Sequence, residues 1–266
     1  MISLKNIIDS INAIPWYSTP NELAKLSFQS KTEYLFRDKL DLYFSDRFSQ
    51  GISNVFPIRE WSSWKEWGID PVHLELYVKE KGINIRSKDK ETRKIEISKL
   101  PMEIKDLTFT YDLKGTQAID LALFEYPKLK PKYGNPPFPL VSLLEFKCEV
   151  IYQLTPSLLK KKSYIEKDIQ RMKKFQVLYD HITFFEILIL VDFPHGINPM
   201  WYPLNTHFEE INNYQKKKPD ALNEIKSFIN QYFSKDLHIE YVTLSAGIYL
   251  NTPVTLHFWI FTNKET

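Results

Sequence analysis

Three charged side chains stand where the surrounding residues read as apolar strands: Asp120 within AIDLALF, and Glu145 with Lys147 within LVSLLEFKCEV. An ionised carboxylate in such a strand is costly unless something compensates it, and a divalent cation supplies one compensation. Period-two geometry puts Glu145 and Lys147 on one face of their strand and Phe146 on the other. With the Asp120 strand paired alongside, the three side chains would converge. Hard oxygen ligands from Asp120 and Glu145 can hold Mg²⁺ while leaving positions for water and a phosphate oxygen, the arrangement needed to hydrolyse a phosphodiester. Lys147 would orient the attacking water or help to deprotonate it, and would offset charge developing on phosphorus; burial beside a metal can lower a lysine pKa.

Strands and helices must position these groups. From Ser30, the segment SKTEYLFRDKLDLYFSDRF places Tyr34, Leu35, Leu40, Tyr43, Phe44 and Phe48 at mainly helical spacings, which predicts a helix with Glu33 in its first turn. An aromatic-rich stretch around Trp61, Trp64 and Trp67 follows, and then HLELYVKEKGINIR, which reads as a hairpin with a Lys-Gly turn. Ile119, Leu121 and Leu123 alternate with Ala118, Asp120 and Ala122 in strand fashion, and a Pro-, Lys- and Gly-containing loop leads to the central-strand pattern of LVSLLEFKCEV. Ser163 and Glu166 have capping-box spacing ahead of a helical stripe of Ile165, Ile169, Met172 and Phe175, which should run to about Tyr179. A buried strand, ITFFEILILVDF, comes next. FEEINNYQ and DALNEIKSFINQYF read as helical, and LHIEYVTL and GIYLNTPVTLHFWIF as strands that extend the sheet or form a flanking layer.

In this order of elements the chain resembles the PD-(D/E)xK nuclease superfamily, whose restriction-endonuclease-like core has an Asp on one strand and Glu-x-Lys on the next. The matching residues are Asp120 and the run Glu145, Phe146, Lys147, and the resemblance covers roughly residues 30 to 193. It implies an α/β fold with a central mixed β-sheet flanked by helices, carrying N-terminal and C-terminal additions. The whole chain, 1–266, would form a single elaborated nuclease domain, with a C-terminal helix and strand extension over about 200–266. The resemblance further implies Asp120, Glu145, Lys147 and Glu33 as catalytic residues, Glu33 being the positional match to a glutamate on the family's N-terminal helix. It implies Mg²⁺ as cofactor, with Mn²⁺ as a substitute, bound by Asp120, Glu145 and the Phe146 backbone carbonyl. Ile119 stands where the motif has proline, and about twenty-four residues separate Asp120 from Glu145.

The implied activity is a metal-dependent endodeoxyribonuclease, by analogy a restriction or other prokaryotic defence enzyme. The alternatives are a partner-dependent repair, recombination or transposition nuclease, and a catalytically silent nucleic-acid-binding subunit with the same fold. DNA is the expected partner, with a homodimer or multi-subunit defence complex as the assembly. A net charge of +2 is too small to diagnose nucleic-acid binding, so local clusters must decide. Lys161, Lys162, Lys167, Arg171 and Lys174 lie just after the motif as candidate phosphate contacts, and a second cluster is Lys216, Lys217 and Lys218.

Spacing by itself is weak, because Glu103 with Lys105 and Glu224 with Lys226 repeat it in a connection and in an amphipathic helix. Acidic residues also favour first helical turns through the helix dipole, which gives Glu33 a structural alternative. Glu149 and Asp192 are explained equally by solvation at strand ends, and Gln170 and Gln176 by a helix surface. The six histidines lack metal-protease spacing, the single Cys148 should face away from Lys147 as a core thiol, and the Trp cluster reads first as packing. The opening residues lack a signal-peptide pattern and no apolar run spans a bilayer, so a cytoplasmic protein without membrane contact is expected.

Overall fold

The computed structural model describes residues 2–28, 32–61, 119–126, 140–154, 182–195 and 219–263, together with 165–170 and a few isolated positions. Its centre is one six-stranded mixed sheet in the order β1-β2-β3-β4-β6-β5, formed by β1 (Val55–Trp61), β2 (Ile119–Glu125), β3 (Leu140–Val150), β4 (Thr183–Asp192), β5 (Leu237–Tyr249) and β6 (Thr252–Asn263). Only β3 and β4 pair in parallel; every other neighbouring pair is antiparallel. The long apolar runs of β3, β4 and β6 occupy the middle, because strands covered on both faces need apolar residues on both. β1, which the sequence reading does not anticipate, lies at the sheet edge, where Pro57 is tolerated without a free amide.

Helices cover the two faces. On one side, α1 (Leu4–Ala13), α2 (Glu22–Phe28) and α3 (Thr32–Ser49) lead into β1. The helix anticipated from Ser30 is α3, but its buried stripe is Thr32, Phe36, Leu40 and Phe44, and Tyr34 is turned outward. Phe36 meets Phe258 of β6 edge-on, with ring centroids 5.0 Å apart. On the other side, the four-residue α4 (Ile151–Leu154) follows β3 directly, and α5 (Ala221–Phe233) packs Phe233 against Phe261. Phe258 and Phe261 differ in strand parity, so α3 and α5 lie on opposite faces.

The C-terminal strands extend the sheet rather than forming a separate layer. β6 inserts between β4 and β5, pairing Ile187 with Ile260 and Ile239 with Phe261. α2 is anchored to this hairpin at Gly247, where Asn21 Oδ1 accepts the Ile248 amide at 2.8 Å. Gly247 has φ +99°, and a Cβ there would lie 2.6 Å from Asn21 Oδ1, so both conformation and space call for glycine. No helix among the described residues is long and apolar enough to cross a membrane. The anticipated hairpin HLELYVKEKGINIR and helix FEEINNYQ, with Trp64, Trp67, Glu103, Lys105 and Pro127 to Pro139, lie outside the described residues or nearly so.

Phe36 ties α3 to the sheet, and α3 carries Glu33. Phe36→Ala is expected to cost about 3–5 kcal/mol of stability, read from the midpoint of urea unfolding. A shift below about 1 kcal/mol would show that α3 is not held by this contact.

Candidate functional site

Among the described residues β3 has strand partners on both sides over its first half. Its antiparallel register with β2 includes Leu121 opposite Leu144, and one step further brings Asp120 beside Glu145. Among the described residues β2 starts at Ile119, while β3 runs on to Val150, so between these described segments a gap stands beside the second half of β3. Two acids lie beside it. Asp120 Oδ2 accepts the Phe146 N–H at 2.9 Å. Glu33, in the first turn of α3, lies near enough to the Cys148 amide for that amide to lower its pKa.

The Glu-x-Lys run is therefore joined to Asp120 by a direct hydrogen bond. In an extended strand the N–H and C=O of one residue leave on the same side, so the Phe146 carbonyl also faces the gap. Glu145 is buried, 3% exposed, and Lys147 lies on the same sheet face two residues on. The Lys147 ammonium forms an ion pair with Asp168 at 3.1 Å, which attaches the helical residues 165–170 to β3. Cys148 faces the other way, as expected.

Parallel pairing brings a further carboxylate to this face. Glu186 of β4 is the partner of Glu145, about 5 Å away across the strands, and its side chain is fully buried. Neither Glu186 nor Asp168 is anticipated by the sequence reading. Glu186 shows the same signal as Asp120, a lone acid within the apolar run FFEILILV. Asp168 has no such signal, because acids are common on helices.

Carboxylates gather around the Lys147 ammonium. Burial alone lowers the Lys147 pKa, but the charges of Glu186, Asp168 and Glu33 and the hydrogen bond to Asp168 outweigh it and hold the pKa above the ordinary lysine range. These neighbours favour the charged form of Lys147. Glu33 has its pKa raised: burial dominates, with Asp120 and Asp168 adding to it and Lys147 and the Cys148 amide opposing. Burial also pushes the Cys148 thiol up to about 12, helped by the Glu33 and Glu149 charges, with the neighbouring Thr32 hydroxyl acting in the opposite sense.

Among the described residues no three His, Cys, Asp or Glu side chains are grouped so that they could hold a metal ion by themselves. A cation at the gap would draw on Asp120, Glu145 and the Phe146 carbonyl. Those are hard oxygen donors in the small number that suits Mg²⁺, which keeps several of its waters. The donor chemistry fits the cofactor expected from the sequence.

The basic cluster is only partly described. Lys162 pairs with Glu166 at 3.2 Å and its ammonium lies 4.3 Å from the Tyr232 ring centroid, so it is held within the protein. Lys167 is exposed, as is Gln170; Lys161, Arg171, Lys174 and Gln176 lie outside the described residues, as do Lys217 and Lys218. Asp192 belongs to a separate network: Tyr152 donates to it at 2.7 Å, and His257, itself 2.7 Å from the Tyr241 hydroxyl, lies 3.4 Å away.

Two outcomes follow from these environments. In the window between the ordinary and raised pKa values of Glu33, the folded state binds its proton more tightly than the unfolded chain, so Glu33 lowers stability as pH rises through that window. Glu33→Gln should gain stability over wild type as pH rises above the ordinary glutamate range, as measured by urea unfolding; a gain that shrinks on that rise contradicts the assignment. The Cys148 thiol should react with a disulfide reagent at least about tenfold more slowly in the folded protein than in urea, and equal rates would contradict its burial. Comparison with protein-family models, characterised proteins and solved structures gives no match for this chain.

Proposed function

We propose that the chain is a Mg²⁺-dependent endodeoxyribonuclease built on a restriction-endonuclease-like core. The observation that carries this reading is the 2.9 Å hydrogen bond from the Phe146 amide to Asp120, which brings the Asp of one strand to the Glu-x-Lys of the next. The order of elements supports it: α3 leads to β1, β2 and β3 in antiparallel sequence, and β4 returns parallel to β3 with helical residues 165–170 between them. A bound Mg²⁺ would supply polarisation of the phosphodiester and activation of water.

The chain's own residues account for the rest. Asp120, Glu145 and the Phe146 carbonyl are the groups that would hold the cation, and Glu33 lies near enough for the Asp120 and Lys147 charges to act on it. Lys147, as a cation, would stabilise charge developing on the phosphoryl oxygens and orient water. The exposed Lys167 lies one residue before Asp168 and is suited to a backbone phosphate, which would make binding salt-dependent. A role in restriction or another prokaryotic defence system follows by analogy with enzymes of this architecture.

Incubation of plasmid, linear duplex, single-stranded DNA and RNA with and without Mg²⁺ or Mn²⁺ tests the reading. Asp120→Ala and Lys147→Ala, with folding verified by circular dichroism, should each reduce metal-dependent DNA cleavage by about a hundredfold or more. Equal, metal-independent cleavage by all three proteins would overturn it, as would absence of cleavage by wild type on every substrate.

A further inference from the structure

Lys147 has anionic neighbours that hydrolysis by Asp120 and Glu145 does not call on. Asp168 reaches its ammonium at 3.1 Å, with only 15% of the Asp168 side chain exposed. Glu186 stands on the adjacent strand. Because Glu145 pairs with Glu186 and Lys147 with Leu188, Lys147 and Glu186 are diagonal neighbours on one sheet face, within reach of a long side chain. The Glu186 charge also acts on Lys147 more strongly than those of Asp168 and Glu33.

A lysine side chain is a point charge on a flexible stem, so the position of its ammonium is set by what it meets. Here it pairs with Asp168 of the covering helical segment, and the charge of Glu186 acts on it from the adjacent strand. A fully buried carboxylate such as Glu186 is a poor stabilising device, since an apolar residue of similar volume often serves stability as well or better. Its placement instead limits where the ammonium can rest. Asp168 shares its helical segment with the exposed Lys167, so contact between that helix and a polyanion would bear on the same ion pair.

We propose that Asp168 and Glu186 form a carboxylate clamp that positions the Lys147 ammonium beside Asp120 and Glu145, with Asp168 linking the centre to the helical segment that carries Lys167. The clamp rests on the nuclease reading for its catalytic consequence, while the coupling of the clamp residues to Lys147 is independent of it. Both acids are positioning residues: they act through Lys147 and not on the substrate.

The experiment compares wild type, Asp168→Asn, Asp168→Glu, Glu186→Gln, Lys147→Met and the doubles Asp168→Asn/Lys147→Met and Glu186→Gln/Lys147→Met. Metal-dependent cleavage of linear duplex DNA and urea unfolding are measured for each. Asp168→Asn and Glu186→Gln should lower kcat by about tenfold or more with KM changed by less than about twofold, the Asp168→Glu variant recovering part of the loss. Each double should cleave no more slowly than Lys147→Met, and its unfolding midpoint should depart from the sum of the two single shifts. Wild-type rates in either Asn or Gln variant, or a loss confined to KM, would overturn the clamp. If wild type cleaves nothing, the nuclease reading fails, and the unfolding data alone decide the clamp: additive midpoint shifts in both doubles overturn it, and non-additive shifts sustain it.

Discussion

Parallel pairing of β3 with β4 sets Glu145 and Glu186 side by side, both buried, on the same face of the central sheet. Like charges in an apolar interior repel and lose hydration, so such a pair is held either by taking up a proton or by positive charge nearby. Lys147 provides part of it from the same strand, and Asp168 and Glu33 help to hold that lysine charged. The central feature is therefore a set of acids gathered about one ammonium. A divalent cation at Asp120 and Glu145 would add the remaining positive charge and displace none of the described main-chain pairing.

The Asp120 carboxylate is the second condition: it accepts the Phe146 amide and so ties β2 to the Glu-x-Lys run, while Glu33 of α3 lies near the Cys148 amide. Burial raises the Glu33 pKa, a cost borne apart from the packing of α3, whose anchoring stripe is Phe36, Leu40 and Phe44.

The C-terminal hairpin shows why the sheet is rigid where the acids sit. β6 covers the far side of β4, so Glu186 lies in a strand with partners on both sides, opposite Phe261. The apolar stretch LHFWIF could have packed as a separate layer or joined the sheet, because its period alone serves both arrangements. Its pairing with β4 makes the C-terminal segment part of the same core as the motif. Asn21 and Gly247 then tie the N-terminal helices to the other edge of that hairpin.

Asp120, Glu145 and Lys147 are legible in the sequence because each interrupts an apolar strand pattern, and the energetic penalty of that interruption needs no tertiary knowledge. So are the helical nature of α3 and α5 and the strands β2 to β6, whose periodicities are strong. Glu186 carried the same local signal as Asp120, but its meaning depended on a register that only strand pairing sets. The edge strand β1, broken in pattern by Pro57, became a strand through its ladder with β2. The surroundings of Glu33, near Lys147, Asp120 and the Cys148 amide, were set by tertiary packing, and the charged form of Lys147 is favoured by carboxylates 21 and 39 positions further along the chain, at Asp168 and Glu186. Local sequence determines the cost of a buried charge; only the folded chain determines which distant charges compensate it, since Coulomb interactions act through space and not along the chain.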